Sequence, residues 1–323
     1  MTKNIFVTRK IPDIGIKMLI DKGYNVDIYP KEDPPTQKEI IKYLKKKPYD
    51  AVLSLLTDKI DANIFDIAPT VKIYANYAVG FDNIDVSEAK KRGILVTNTP
   101  GAFSDCIAEQ TMAFILGLTT RMVEADDFMR KGKYEGWSPM NFMGTDLKGK
   151  TLGLLGAGHI GERVAYHASK GFDVKVIYYD VVRNEKIEND CGAVFYPTVE
   201  EVLKQSDIVS LHVPLLDSTK HLINEERLKL MKPSSFLINT SRGPVIDEVA
   251  LVKALQTGVI RGAGLDVFEF EPKLTKGLIK LPNVILTPHI SSARESARNE
   301  MATLAAQNII DFFDSGKPKN QVN

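Results

Sequence analysis

The run "TLGLLGAGHIGERVA", residues 151–165, narrows the fold of this chain more than any other stretch. An apolar, β-rich segment leads into Gly156, Gly158 and Gly161, spaced G-x-G-x-x-G, and a helix-forming segment follows. Alone the triplet is a weak signal. Between a strand and a helix it has the context of a phosphate-binding turn in a parallel α/β sheet. Gly156 allows the tight turn, Gly158 lets the backbone approach a pyrophosphate, and Gly161 lets helix and strand pack closely. The helix N-terminus, with His159 and Ile160 in its loop, faces the negative charge through backbone. The His159 ring itself reads as exposed filler. The next strand, "VKVIYYD", ends on Asp180, 19 residues past Gly161. A carboxylate there accepts from the adenine-ribose hydroxyls and repels a 2′-phosphate, which favours NAD(H) over NADP(H). Arg183, three residues on, is placed to soften that preference.

The same alternation of strand and helix runs through the rest of the chain. "NIFVT", "VDIY", "AVLSLL", "KIYAN" and "ILVTN" read as strands in the first hundred residues, with helices such as "PDIGIKMLIDKG" and "TQKEIIKYLKKK" between them. After the glycine loop come "DIVSLHVP", "SFLINTS", "GAGLDVF" and "VILTP". Such alternation specifies parallel sheets covered on both faces. The 323 residues are enough for about two such units. An apolar helix spans 104–122, an extended arm or connector 130–150, and an amphipathic helix 293–316. A net charge of +1 implies no general attraction to nucleic acid or to a membrane surface. Two isolated cysteines, Cys106 and Cys191, make neither a disulfide framework nor a metal cluster, so no metal is expected. The N-terminus lacks the apolar core of a signal peptide, and "AFILGL" is too short to span a bilayer. The expectation is a soluble, cytoplasmic protein.

Ligands of open α/β sheets bind outside the carboxyl ends of the strands. Arg242 directly follows one predicted strand, Asp266 ends another with Glu271 five residues beyond, and His289 lies just past a third. Reduction of a 2-oxo acid by NADH needs a cation to hold the carboxylate and polarise the carbonyl, and a guanidinium fork suits both. It needs an acid for the new alkoxide, and a carboxylate to orient that acid and keep it protonated near neutral pH. Arg242, His289 and Glu271 match those roles in type.

Five regions together resemble the D-isomer-specific 2-hydroxyacid dehydrogenase family, in the family's order and across nearly the whole chain. They are "VGFDNID" (79–85), "GAGHIGERVA" (156–165), "HVPL" (212–215), "NTSRGPVID" (239–247) with "GLDVFEFEP" (264–272), and "TPHISSA" (287–293). "LLTDKID" (55–61), "YANYAVGFDNID" (74–85) and "GWSPMNFMG" (136–144) are similar to its glyoxylate/hydroxypyruvate reductase branch. The resemblance implies two Rossmann-like or flavodoxin-like parallel-sheet domains with a cleft between them. Residues 1–100 plus 289–323 would form a substrate domain, and 101–288 the NAD-binding domain. It implies a homodimer whose contact includes an arm at 122–150, with Trp137 reaching a neighbour's pocket.

Carried over by position, Arg242 holds the substrate carboxylate and carbonyl. His289 is the acid in reduction and the base in oxidation, paired with Glu271. The amides of Val79 and Gly80 hold the carboxylate's other side. Leu55 is a pocket wall, and Ser292 and Arg298 are secondary pocket positions. Asp266 and Thr240 position the nicotinamide, while Ser241, His212, Val213 and Pro214 join the cofactor contacts. The family usually has glycine where this chain has Ser291, so a positive φ there would carry a strain of about 1 kcal/mol. Ala78 stands where phosphonate-oxidising relatives carry lysine, and Glu271 departs from formate dehydrogenases. No regulatory domain after residue 323 is expected, unlike long phosphoglycerate dehydrogenases. Rival readings are a D-lactate or D-glycerate dehydrogenase, a β-hydroxyacid dehydrogenase with a lysine acid, and an NAD-sensing corepressor-like binding module that keeps the same residues.

Overall fold

The structure, a computed structural model, describes residues 2–101 and 103–323. The β-rich runs of the first hundred residues become β1 (Asn4–Val7), β2 (Asn25–Ile28), β3 (Ala51–Leu55), β4 (Ile73–Tyr77) and β5 (Leu95–Thr97). They pair in parallel in the order β2-β1-β3-β4-β5. Every residue of β3 and β4 is buried, as strands covered on both faces must be. The helix Gln37–Leu44 starts where its sequence says it should. Thr36 Oγ1 accepts from the Glu39 N–H, and Glu39 returns the bond to the Thr36 N–H. The closing helix Glu295–Ser315 belongs to this unit and packs on helix Asp13–Asp21. Gly15 makes that packing possible, since a Cβ there would lie 2.5 Å from the Ala302 carbonyl oxygen.

The second unit covers 103–292. Its strands are β6 (Thr151–Leu155), β7 (Lys175–Tyr179), β8 (Val194–Phe195), β9 (Ile208–Leu211), β10 (Phe236–Asn239), β11 (Gly262–Leu265) and β12 (Val284–Leu286). All are parallel, in the order β12-β11-β10-β9-β6-β7-β8. The chain winds outward from β6 in one direction and from β9 in the other, so the ends of β6 and β9 form the switch point where such sheets bind ligands. The two-residue β8 was not anticipated. The apolar helix Ser104–Thr119 stops short of 122, because Arg121 turns left-handed at φ +57°. A separate amphipathic helix, Met122–Arg130, opens the expected arm, and 131–150 contains neither helix nor strand.

The units divide at 102/103 and 292/293 rather than at 100/101 and 288/289. Residues 289–292, His289 and Ser292 among them, therefore go with the seven-stranded unit. The physical reason is Asp266, at the end of β11, whose carboxylate takes hydrogen bonds from Thr287, Ile290 and Ser291 and fastens that segment to its own sheet. No helix among the described residues is long and apolar enough to cross a membrane.

Candidate active site

The phosphate loop forms as its spacing requires. Gly156 has φ +98°, and a Cβ there would lie 2.7 Å from the carbonyl of His212. The glycine thus lets the end of β6 lie against the end of β9, bringing His212 and Val213 beside the loop. A Cβ on Gly161 would lie 2.3 Å from the Gly156 oxygen, so the helix His159–Phe172 can close on the strand only with glycine there. Gly158 differs: a Cβ would meet nothing within 4 Å. No packing need of the chain explains that glycine, but a group entering from outside does. No side chain caps the helix that begins after it. Open backbone at an uncapped helix N-terminus fits a dinucleotide pyrophosphate. His159 is exposed and Ile160 partly buried.

Asp180 sits at the end of β7, where one carboxylate oxygen accepts from the Ala157 N–H at 2.7 Å and the other from Val182 N–H at 3.3 Å. It thus shapes the glycine loop and still has lone pairs to offer. Arg183 is committed elsewhere. Its guanidinium holds Glu188 through Nε (2.7 Å) and Nη2 (2.9 Å) and lies over the Phe195 ring. Asn184, absent from the sequence reading, holds the Ala157 carbonyl at 2.6 Å and caps the next helix. The His212 ring bonds Ser210 Oγ at 2.9 Å, and desolvation lowers its pKa to about 3, so it is neutral at physiological pH. Pro214 is exposed, and Thr240 is buried with its hydroxyl 3.1 Å from that of Thr111.

Arg242, Glu271 and His289 follow β10, β11 and β12, three neighbouring strands. Gly243 brings the first two loops together, since a Cβ there would fall 1.9 Å from the Phe268 carbonyl. Asn239 Nδ2 holds the Arg242 carbonyl at 2.9 Å, Asn239 Oδ1 accepts from the N–H and hydroxyl of Ser241, and Arg242 Nη1 donates to the Ser241 carbonyl at 2.8 Å. Glu271 accepts from the Phe268 N–H at 2.9 Å through one oxygen and lies 3.1 Å from His289 Nδ1 through the other. Desolvation, the largest single influence, pushes its pKa up. The bond and charge of His289, the Phe268 amide and the nearby Arg242 charge outweigh it, and the net pKa is lowered. Glu271 is thus a carboxylate at neutral pH, and Nδ1 of His289 is the nitrogen that faces it.

Two expectations about the His289 loop change. The positive φ is at His289 itself, +54°, and not at Ser291. Ser291 is buried and gains from its hydroxyl, which joins its own N–H on one oxygen of Asp266 (2.5 and 2.8 Å). The other oxygen takes Thr287 Oγ1 (2.5 Å) and the Ile290 N–H (2.8 Å), while the Asp266 carbonyl takes the His289 N–H at 2.9 Å. Asp266 is fully buried with both oxygens doubly bonded. It serves as the clamp on the histidine loop. Nothing in the sequence marks that task, because its partners lie 21 to 25 positions away. Sequence reasoning also missed a second histidine–carboxylate pair. His221 Nε2 lies 2.6 Å from Glu269, whose other oxygen accepts from the Glu248 N–H.

In the five-stranded unit, Leu55 is buried at the end of β3, Val79 and Gly80 lie in the turn after β4, and Arg298 is in the closing helix. Ser292 is partly buried, next to the clamped segment. Among the described residues no group of three or more His, Cys, Asp or Glu is placed to hold a metal ion.

A dinucleotide-binding sheet that carries an arginine and a glutamate–histidine pair on adjacent strand ends defines a nicotinamide-dependent dehydrogenase. The chain belongs to the D-isomer specific 2-hydroxyacid dehydrogenase family, whose NAD binding domain model matches residues 112–291. In particular it is 49% identical, over all of its length and 97% of the relative's, to the glyoxylate reductase of Thermococcus litoralis. It is 48% identical, over its whole length and 96% of the relative's, to that of Korarchaeum cryptofilum. Among solved structures, the TT0316 protein of Thermus thermophilus superposes with a TM-score of 0.91 at 37% identity, covering 99% of this chain and 100% of that one.

Proposed function

We propose that this protein reduces a small 2-oxo acid, glyoxylate or hydroxypyruvate, to the 2-hydroxy acid with NADH, and runs the reverse oxidation with NAD. The observation that carries the reading is the His289–Glu271 pair beside Arg242, and the likeness to glyoxylate reductases supports the substrate. Arg242 binds the substrate carboxylate and polarises the 2-oxo group. Nicotinamide dinucleotide, when bound, supplies or takes the hydride. His289 donates a proton from Nε2 to the 2-oxo oxygen in reduction and accepts it in oxidation. Glu271 takes the Nδ1–H and fixes the ring. Gly156, Gly158 and Gly161 hold the pyrophosphate, and Asp180 reads the adenine ribose. With Arg183 locked on Glu188, the loop after β7 offers Asp180 and no uncommitted guanidinium, which supports NAD over NADP. Leu55, Val79 and Gly80 are the substrate-binding candidates of the five-stranded unit, which we take as the substrate domain, and Ser292 is the candidate next to the clamped loop.

We assign the protein to the cytoplasm on its low cysteine count and infer a homodimer built on the arm. Met122, Met129, Trp137, Met140 and Met143 are all more than half exposed there, Trp137 at 82%, a large apolar surface for one segment to leave in water. The test of function is kcat/KM over a panel of 2-oxo acids with NADH. Turnover of glyoxylate or hydroxypyruvate ahead of pyruvate supports the reading. Absence of turnover with every 2-oxo acid, in folded protein that binds NADH, overturns it.

A further inference from the structure

The turn after β4 carries three successive backbone carbonyls, each tied down by a donor of the same unit. The Thr99 N–H holds the Ala78 carbonyl at 2.9 Å, Asn98 Nδ2 holds that of Val79 at 2.8 Å, and Asn76 Nδ2 holds that of Gly80 at 3.0 Å. In a trans peptide the C=O and the following N–H point to opposite sides of one plane. These peptides are trans, so pinning the Ala78 and Val79 carbonyls toward residues 98 and 99 turns the N–H groups of Val79 and Gly80 away from them. Among the described residues, no acceptor meets either amide. Val79 is 38% exposed, so the pair stands at the surface of the unit. Adjacent amides with no acceptor of their own form a seat for a small anion.

Asn98 is well built to fix such a seat. It is only 9% exposed, its N–H donates to the Asn320 carbonyl at 3.1 Å, and its own carbonyl takes Asn308 Nδ2 at 3.0 Å. We propose that Asn98 is the positioning residue for the substrate carboxylate: by holding the Val79 carbonyl, its side-chain amide aims the Gly80 N–H at the anion. The proposal rests on the 2-oxo acid reading above. An aspartate at 98 sets a carboxylate against the Val79 carbonyl, two acceptors face to face. That peptide then turns over and presents its carbonyl where the anion should bind.

The carboxylate does not react, so its seat serves ground and transition states alike, and losing it raises KM while kcat holds. For Asn98→Asp the expected result is a KM for glyoxylate or hydroxypyruvate raised at least about tenfold, the scale of one charged hydrogen bond, with kcat within about threefold. A second readout excludes a general structural fault. The ratio of kcat/KM for the acid to that for its uncharged methyl ester falls at least about tenfold in the variant, whereas partial unfolding lowers both equally and leaves the ratio in place. Should the variant not fold, amide NMR of the wild-type NADH complex decides, with oxamate expected to shift the Val79 and Gly80 signals. An unchanged acid-to-ester ratio in an active variant, or unshifted amides, overturns the proposal and leaves the function standing. A wild-type enzyme that turns over no 2-oxo acid removes both.

Discussion

Gly243→Ala isolates the close approach on which the site depends. Gly243 follows the arginine directly, and the added methyl would sit 1.9 Å from the Phe268 carbonyl and 2.4 Å from the Glu269 N–H nitrogen. Ordinary contact begins near 3.4 Å, so one of the two loops must retreat by about 1.5 Å. Both obstacles are backbone, and neither can swing aside as a side chain would. Such overpacking costs about 1–3 kcal/mol of stability. The retreat separates Arg242 from the Glu271 loop, and misplacement by about 1 Å costs about a hundredfold in rate. Expected, then, is a kcat/KM for the 2-oxo acid lowered about a hundredfold, with the NADH dissociation constant changed much less, since the glycine loop at β6 is untouched. Steady-state kinetics, NADH fluorescence titration and thermal melting measure the three quantities. A variant with wild-type melting and kcat/KM would refute the reasoning, because the two loops could not then be in contact as described.

Three further outcomes follow from other contacts. Asp180→Ala is expected to weaken NADH binding and to raise the relative use of NADPH, and an unaltered cofactor ratio would show that Asp180 serves only the Ala157 amide. His212 has a folded pKa near 3, below the ordinary 6.5, so between these values the unfolded chain binds the extra proton and stability falls as pH drops. Urea midpoints of wild type should therefore fall more steeply than those of His212→Asn from about pH 6.5 to about pH 4, and parallel curves would contradict a neutral His212. Ser291→Gly removes the hydroxyl bond to buried Asp266 and adds backbone freedom, costing about 1–2 kcal/mol by denaturant unfolding, whereas a stabilised variant would mean the position does demand glycine after all.

Both parallel sheets were legible because their strands are short apolar runs separated by punctuated helices, and buried strands need little else. The glycine loop was legible because Gly156 and Gly161 answer local backbone demands and Gly158 leaves the open approach that a pyrophosphate needs. What stayed hidden was what depends on residues far apart in the chain. Asp266 reads as one more strand-end carboxylate until Thr287, Ile290 and Ser291 arrive around it. Ser291 looked like a strained replacement because the positive φ belongs two residues earlier, at His289. The helix Met122–Arg130 was lost in the arm because a left-handed Arg121, with nothing in its own chemistry to announce it, breaks the helical pattern there. Val194–Phe195 is too short to show any period at all.

The central claim is that His289, oriented by Glu271, moves the proton. The most direct measurement is kcat of His289→Asn at saturating NADH and 2-oxo acid. Asparagine is the right replacement because it tolerates the left-handed backbone that His289 adopts, so the Asp266 clamp stays closed. The expected result is a kcat lower by about two to four powers of ten, the range for loss of a general acid, with NADH binding unchanged. A kcat within about threefold of wild type would contradict the claim and leave His289 a loop residue.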